Sequence, residues 1–306
     1  MMLTTTAHPP QQPPAPGRLS PGVCRITLDA AGVPLSALLS EPLDGRTPRA
    51  TVVALHGGGM GAGYFDGQAH PDVSLLTLGA RLGYAVLALD RPGYGASAPY
   101  LPAGQPLLEQ AATVRAALAD AQACHVPGPL FLLAHSFGGK LALALAADAP
   151  PDAFLGLDVS GCGHRPAASA VLLGSTARAG LRRLNWGPLR LYPAGTFRAS
   201  EAVVAPVPRR EVEAAVSWAV LSTRLLPRVR VPVRFTFAEH EAWWHQSDAD
   251  LADLAARLPA APRVLVDRLS AAGHNISLGY AARAYHLRAL AFADECLGAG
   301  APAVAR

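Results

Sequence analysis

Residues 130–140 read Leu-Phe-Leu-Leu-Ala-His-Ser-Phe-Gly-Gly-Lys, and this stretch decides the fold. An apolar run suited to a buried strand meets one serine, and two glycines and an alanine-rich run typical of a helix follow. The order strand, sharp turn, helix places Ser136 at the apex, where it points at the N-terminus of the next helix. The pattern is Gly-x-Ser-x-Gly with Ala134 in the first glycine position. Ser136 is therefore a candidate nucleophile, and its alternative role is a helix N-cap.

Apolar runs of strand length alternate with runs of helical periodicity through most of the 306 residues. Because such alternation is typical of parallel strands, the sequence predicts an α/β fold with a mostly parallel, twisted sheet covered by helices on both faces. The predicted strands are residues 23–28, 35–40, 51–55, 84–89, 130–134, 154–159, 231–237 and 263–266. The predicted helices are residues 73–82, 107–123, 141–147, 248–258 and 278–296.

One segment, residues 164–228, breaks this alternation, because it combines helical pieces and prolines with little strand character. We interpret it as a helical lid inserted into an α/β core made of residues 21–163 and 229–298. The lid segment is strongly basic, with ten arginines against three glutamates. Residues 1–20 are rich in Pro, Gln and Thr and are expected to form a disordered tail, and residues 299–306 a short C-terminal tail.

The composition of the chain argues against several classes of protein. Hydrophobic residues make up 51% and charged residues 16%, which argues against disorder over most of the chain. A net charge of +4 without a zinc-finger or RNA-recognition pattern argues against a nucleic-acid partner. No apolar run reaches the ~18 residues of a membrane helix, and signal-peptide features are missing at the N-terminus. Four widely spaced cysteines are typical of free thiols, so we expect a cytoplasmic protein without a membrane partner.

A base is needed to take the proton of a serine nucleophile. His274 lies in Ala-Gly-His-Asn-Ile-Ser, after the last predicted strand and before the last helix, where a loop places an imidazole over the sheet end. Its position makes it the preferred base. The alternatives are His240 and His245, which lie near the predicted acid, and His135, whose side chain should point away from Ser136.

An acid is needed to orient this base. The strand over 231–237 leads into Ala-Glu-His-Glu, and either glutamate could orient His274. We favour Glu241, which lies further into the loop, where an acid can reach across the sheet end. Glu239 and Asp158, near the end of the preceding strand, are the alternatives.

Backbone amides should stabilise the oxyanion of an acyl-transfer reaction. One is the amide of Phe137, and the other should come from Gly58 or Gly59 in the loop after His56, where glycines let the backbone approach a ligand. The run Gly-Gly-Gly-Met-Gly-Ala also matches a dinucleotide fingerprint, but no helix follows at once. The sequence shows no Walker A motif and no metal-ligand spacing, so no cofactor and no metal are predicted.

Together these motifs resemble the α/β-hydrolase superfamily over roughly residues 22–298. The motifs are His-Gly-Gly-Gly at 56–59, Asp-Arg-Pro-Gly-Tyr-Gly-Ala-Ser at 90–97, Ala-His-Ser-Phe-Gly-Gly at 134–139, Ala-Glu-His-Glu at 238–241 and Gly-His-Asn at 273–275. The resemblance implies an α/β-hydrolase fold with a cap domain. It also places Glu241 where family members usually have aspartate, although glutamate is one methylene longer.

The expected function is a serine hydrolase that cleaves a carboxylic ester or thioester of a small hydrophobic acyl substrate through a Ser-His-Glu triad and an acyl-enzyme. The first alternative is a non-hydrolytic lyase or cyclase of natural-product biosynthesis that uses the same triad. The second is a catalytically silent binding protein, because the fold does not fix the reaction.

The aromatic residues of the lid and the acid loop are candidate walls of a substrate pocket, although ordinary packing is an equal alternative for each. They are Trp186, Tyr192, Trp243 and Trp244. The arginines of the lid favour an anionic or carrier-bound small-molecule substrate. Arginine replaces lysine almost everywhere in this chain, with Lys140 as the only lysine, so the excess can also reflect composition alone.

Overall fold

The structure is a computed structural model that describes residues 17–167 and 183–300, with side chains through residue 298. Eight strands form one sheet in the order β1-β2-β4-β3-β5-β6-β7-β8. They are β1 (Val23–Ala30), β2 (Val33–Ser40), β3 (Thr51–Leu55), β4 (Ala85–Leu89), β5 (Leu130–His135), β6 (Leu157–Ser160), β7 (Val233–His240) and β8 (Val264–Gly273). The pairs β1–β2 and β2–β4 are antiparallel and the other pairs are parallel.

Helices cover both faces of this sheet, which confirms the predicted α/β class. The helices are α1 (Leu75–Arg81), α2 (Leu107–Cys124), α3 (Phe137–Ala147), α4 (Thr196–Ser200), α5 (Arg209–Leu225), α6 (Asp248–Ala256) and α7 (Ala282–Gly300). The first hydrophobic core joins one face to α2, α3, α5 and α6, and the second joins the other face to α1 and α7.

The central strands β3, β4 and β5 are buried along their whole length. Strands covered on both faces need apolar side chains at every position, which explains their continuous apolar sequence. They are parallel, so their carboxyl ends lie at one edge of the sheet. This edge is where ligands and catalytic groups collect in open α/β sheets.

Strands β7 and β8 are longer than the sequence indicates. A bulge between Ala238 and His240 keeps the two strands paired until His240 lies opposite Gly273. Strand β8 is at the edge of the sheet, so several of its side chains are polar and exposed and its apolar pattern is weak. Because of this extension, β7 ends one residue before the predicted acid Glu241 and β8 ends one residue before the predicted base His274.

Other boundaries also differ from the prediction, and helix α3 begins at Phe137 instead of residue 141. Strand β6 begins at Leu157 instead of residue 154, because its ladder with β5 starts at the pair Leu132–Leu157. Helix α7 begins at Ala282 instead of residue 278, because Ile276–Leu278 form a short 3-10 helix directly after the His274 loop.

The predicted lid segment contains α4 and α5 among its described residues. Trp218 of α5 is buried, and its indole Nε1 donates a 2.8 Å hydrogen bond to the carbonyl of Gly163, which ties this helix to the loop after β6. Residues 168–182, with Arg178 and Arg182, lie outside the described residues, as do residues 1–16 and 301–306 of the two predicted tails.

Candidate active site

Ser136 lies at a sharp turn between β5 and α3, with φ 53° and ψ −114°. A positive φ is uncommon for a residue with a side chain, and it turns the hydroxyl out of the sheet. The turn is held by the Ser136 amide, which donates a 2.8 Å hydrogen bond to the carbonyl of Ser160. Gly138 then passes so close to β3 that a Cβ there would lie 2.7 Å from the carbonyl oxygen of His56. A larger residue at 138 would therefore push α3 away from the sheet.

The structure brings Ser136, His274 and Glu241 together from three separate loops. The Oγ of Ser136 lies 3.1 Å from Nε2 of His274, and Nδ1 of His274 lies 2.7 Å from Oε2 of Glu241. The side chains of His274 and Glu241 are 4% and 0% exposed, which shields their hydrogen bond from solvent. The carboxylate requires a proton on Nδ1, which leaves Nε2 free to accept the Ser136 proton. The order of contacts is that of a nucleophile, a base and an orienting acid.

The bulge in β7 decides which glutamate faces His274. The Glu241 amide donates a 3.0 Å hydrogen bond to the carbonyl of Ala238, and the chain turns inward there. The second carboxylate oxygen of Glu241 accepts a 2.8 Å bond from the Trp243 amide, which fixes the side chain. Glu239 instead points outward, where its Oε2 accepts a 2.7 Å bond from the Ala271 amide.

Asp158, the third acid considered, is committed elsewhere. Its carboxylate forms a 2.5 Å ion pair with the guanidinium of Arg234 and accepts a 2.9 Å hydrogen bond from the Tyr285 hydroxyl. Both ion-pair partners are buried. Burial raises the pKa of Asp158, and the charge of Arg234 opposes that rise. No contact joins Asp158 to His274 among the described residues.

The alternative bases also make other contacts. His135 stacks on Tyr64 and lies 4.8 Å, ring to ring, from His274, while its Nδ1 is 3.1 Å from the Ser160 hydroxyl. Burial, and then the charge of His274, lower the pKa of His135 well below its ordinary value. A neutral His135 therefore forms a wall beside His274. His240 lies near Glu239.

The loop His56–Gly59 passes beside Ser136. A backbone amide can only donate, so the 3.0 Å bond from the Arg91 amide to Nε2 of His56 leaves the His56 proton on Nδ1, which bonds the Gly57 carbonyl at 2.8 Å. Burial, and then the charge of Arg91, lower the pKa of His56 well below its ordinary value. His56 thus acts as a neutral brace for the loop.

The two predicted glycines differ in what their amides contact. The Gly59 amide donates a 3.0 Å bond to the hydroxyl of Tyr94. The amides of Gly58 and Phe137 have no hydrogen-bond partner within residues 17–167 and 183–300. Gly58 and Phe137 therefore present the amides suited to an oxyanion, and Gly59 serves to hold the loop.

A buried cluster behind this loop was not found from the sequence. Arg91 is fully buried and pairs through both terminal nitrogens with Glu211 of α5, at 2.8 and 3.0 Å. Tyr94 donates a 2.9 Å bond to the same carboxylate. The Asp-Arg-Pro-Gly motif marks Arg91, but nothing near Glu211 in the sequence indicates that it joins a residue 120 positions away.

Lys140, the only lysine, is buried in α3 four residues after Ser136. Among the described residues, three aromatic rings surround its ammonium, with centroids 5.3 Å (Phe137), 5.8 Å (Trp218) and 5.4 Å (Trp244) away. Burial lowers the pKa of Lys140 from 10.5 to about 8. Cation–π contacts offset part of the cost of burying the charge.

We expect Lys140→Met to be more stable than the wild type at pH 7, with an advantage that shrinks as the pH rises. The folded-state pKa of Lys140 is below its unfolded value, so the unfolded chain binds the extra proton between about pH 8 and pH 10.5. Wild-type stability therefore rises with pH in that window, by roughly 1–3 kcal/mol relative to Lys140→Met. Urea unfolding of both proteins at pH 7 and pH 9.5 measures this difference. Parallel stability changes in the two proteins would contradict it.

The four predicted pocket aromatics pack around the acid and base loops. Trp186 and Tyr192 are buried with ring centroids 5.1 Å apart. The Trp243 ring lies 6.2 Å from that of His274, and its Nε1 donates to Asn185 at 2.9 Å. Trp244 donates from Nε1 to the Gly161 carbonyl at 2.8 Å. These contacts brace the loops that carry the acid and the base.

A cavity of about 600 Å³ lies beside the segment that follows the loop His56–Gly59, and Ser136 is not among its lining residues. Gly61, Ala62 and Asp90 are among the residues that line it. The Asp90 carboxylate accepts hydrogen bonds from the Ala62 amide at 2.7 Å and the Ser36 hydroxyl at 2.6 Å. None of the four pocket aromatics lines this cavity.

Residues 17–167 and 183–300 contain neither a cluster that could bind a metal nor a helix that could cross a membrane. No three His, Cys, Asp or Glu side chains are grouped so that they could bind a metal ion. No described helix combines the length and the apolar character needed to cross a bilayer.

The Alpha/beta hydrolase family matches residues 52–294, and no curated protein sequence matches the chain. A highly thermostable carboxyl esterase from Bacillus coagulans is 16% identical with a TM-score of 0.66, over 91% of this chain and 100% of that one.

Two further solved structures share the fold at similar distance. The thioesterase domain from the curacin biosynthetic pathway is 19% identical with a TM-score of 0.58, over 90% of this chain and 99% of that one. An AqdC variant, which recognises the Pseudomonas quinolone signal and cleaves its ring, is 18% identical with a TM-score of 0.68. The match covers 91% of this chain and 100% of that one. The TM-scores show a common fold, and the family match spans most of the sequence. The chain belongs to the alpha/beta hydrolase family.

Proposed function

We propose that the protein is a serine hydrolase of carboxylic esters or thioesters that works through Ser136, His274 and Glu241. One observation carries the proposal: the hydrogen-bonded series from the Ser136 hydroxyl through the His274 imidazole to the Glu241 carboxylate. The amides of Gly58 and Phe137 supply the remaining requirement, donors for an oxyanion. Similarity to an esterase and a thioesterase fits this chemistry at the level of the fold.

In the first half of the proposed reaction, the Ser136 oxygen attacks the acyl carbonyl while Nε2 of His274 takes the hydroxyl proton. The carbonyl oxygen gains a negative charge, which the amides of Gly58 and Phe137 stabilise. Glu241 holds the proton-bearing Nδ1 and stabilises the imidazolium. The His274 proton then passes to the leaving alcohol or thiol, and an acyl ester of Ser136 remains.

In the second half, water takes the place of the leaving group. His274 removes a proton from the water as its oxygen attacks the acyl ester, and the same two amides stabilise the new oxyanion. The proton returns to the Ser136 oxygen as the carboxylic acid departs. No redox step or cofactor is needed for this balance.

The proposal is tested with a fluorophosphonate probe, which phosphonylates activated serines. We expect stoichiometric labelling of the native protein on the peptide that contains Ser136, identified by mass spectrometry. Protein unfolded in urea before exposure is the control for non-specific labelling. Absence of labelling in the native protein would favour a catalytically silent binding protein and remove the proposal.

A second measurement distinguishes hydrolysis from elimination or cyclisation by the same residues. Turnover of an ester library is run in ¹⁸O-labelled water, and the acid product is analysed by mass spectrometry. Hydrolysis places one ¹⁸O atom in the carboxylic acid, because water attacks the acyl-enzyme. An acyl product without the label would favour the lyase or cyclase alternative.

We also propose that the basic lid segment favours a substrate that is anionic or bound to an acidic carrier. Its described arginines include Arg190, Arg198 and Arg210, all at the surface. Surface charges of one sign attract opposite charges over about 8–10 Å at moderate ionic strength.

For an anionic ester we expect kcat/KM to fall several-fold as NaCl rises from 20 to 500 mM, since salt screens the attraction by the lid arginines. The matched control is a neutral ester of the same shape, whose kcat/KM should change little. Equal salt dependence of the two esters would show that the arginines do not select the substrate.

A further inference from the structure

The Arg91–Glu211 pair is an ion pair taken entirely out of water. The side chains of Arg91 and Glu211 are 0% and 2% exposed, and both oxygens of Glu211 are engaged by Arg91, with Tyr94 as a third donor. A buried ion pair contributes little net stability compared with apolar packing of the same volume. Stability alone therefore gives a weak reason for these two charges.

Arg91 and Tyr94 also bind the backbone of the loop His56–Gly59, which we call the oxyanion loop, and Arg91 Nη1 donates a further 3.0 Å bond to Gln110 of α2. Arg91 donates from Nε to the His56 carbonyl at 2.7 Å and from Nη2 to the Gly57 carbonyl at 3.1 Å. The Tyr94 hydroxyl accepts from the Gly59 amide at 3.0 Å. The peptides on both sides of Gly58 are thus held, and the Gly58 amide is left without a partner within the described residues.

Glu211 is the point where these contacts meet. The Tyr94 hydroxyl proton goes to Glu211, which leaves the hydroxyl lone pairs directed at the Gly59 amide. The carboxylate also lies against the loop itself, since a Cβ at Gly58 would be 2.9 Å from Glu211 Oε1. Glu211 belongs to the first turn of α5, so the inserted segment supplies it.

We propose that Glu211 is a positioning residue, which acts through Arg91 and Tyr94 to orient the Gly58 amide toward the developing oxyanion. Docking of α5 then completes the active site, because the inserted segment supplies the carboxylate that orders the loop. The inference rests on the proposed serine hydrolase function. It adds a role for the inserted segment beyond covering the substrate.

The test compares Glu211→Gln with the wild type in ester hydrolysis, with kcat expressed per active site titrated by the fluorophosphonate probe. We expect kcat to fall by about 10- to 100-fold, less than the 10²–10³-fold of a lost oxyanion donor, since the Gly58 amide remains but is poorly held. KM should change by less than about threefold, since the acyl and leaving groups do not contact Glu211 in this proposal.

The inhibition constant of a trifluoromethyl ketone is a measurement that general destabilisation of the fold does not change. The adduct of this ketone with Ser136 places an oxyanion between the two amides, so the inhibition constant should rise in Glu211→Gln in parallel with the loss of kcat/KM. Tyr94→Phe should reproduce part of the loss. The double variant should lose no more than Glu211→Gln, because both changes interrupt one relay.

Asp158→Asn is the matched control, since it breaks a second buried ion pair that has no contact with the oxyanion loop. We expect comparable destabilisation in denaturant but kcat within about twofold of the wild type. Equal kcat in Glu211→Gln and the wild type, or equal losses in Glu211→Gln and Asp158→Asn, would overturn the inference. Failure of the proposed function would look different, because the wild type itself would be neither labelled nor active.

Discussion

Ser136→Ala is expected to lower kcat by at least about 10³-fold while the fold stays intact, the largest effect of any single change in this protein. The substitution removes the only atom of the series that can form the acyl-enzyme, and His274 and Glu241 are left without a nucleophile. Residual activity is expected to come from the oxyanion amides and substrate binding. The measurements are kcat on the best ester of a library and labelling by the fluorophosphonate probe, which should both be lost.

Folding of Ser136→Ala is checked by circular dichroism and urea unfolding. Since Ser136 has a positive φ that alanine also adopts at a cost, stability should stay within about 1 kcal/mol of the wild type. A folded Ser136→Ala protein with near-normal kcat would remove the central claim about the site.

Glu241→Gln is expected to have the second-largest effect, a loss of kcat on the order of 10²–10⁴-fold with a smaller change in KM. Glutamine has nearly the same shape but no charge, so it stabilises the imidazolium of His274 poorly. Its amide nitrogen can also face Nδ1 of His274, which favours the wrong tautomer, with the proton on Nε2. Steady-state kinetics per active site measure the effect.

Glu239→Gln is the matched control, since Glu239 lies two positions before Glu241, at the end of β7, but faces the Ala271 amide. We expect its kcat to stay within about threefold of the wild type, as for other exposed substitutions away from a site. The reverse ranking of the two variants would assign the acid to Glu239. No effect of either variant would leave His274 without an orienting acid from this loop.

The central strands, whose side chains are buried on both faces, were predictable within one or two residues. Strands β3, β4 and β5 are examples, because a strand covered on both faces is a continuous apolar run between turn residues. The ends of β7 and β8 were not predictable, because their pairing depends on a bulge and on an edge strand with exposed polar residues.

The candidate site also combines residues that the local sequence predicts with residues that depend on contacts between distant segments. Ser136 and His274 follow from their positions after strands, since parallel strands bring their carboxyl ends to one edge. The preference for Glu241 over Glu239 depends on a turn at Ala238 that has no local signature. The Arg91–Glu211 pair depends on how α5 docks, a tertiary contact between distant parts of the chain. No periodicity or motif specifies such a contact.

The scarcity of lysine has a chemical consequence for an enzyme that handles activated acyl groups. Thioesters and reactive esters acylate exposed neutral amines spontaneously, whereas the guanidinium of arginine stays protonated and is not acylated in this way. Lys140 is the only lysine and is buried among three aromatic rings, and the other 25 residues counted as Lys or Arg are all arginines. The protein therefore exposes no lysine side chain that its own proposed substrates could acylate.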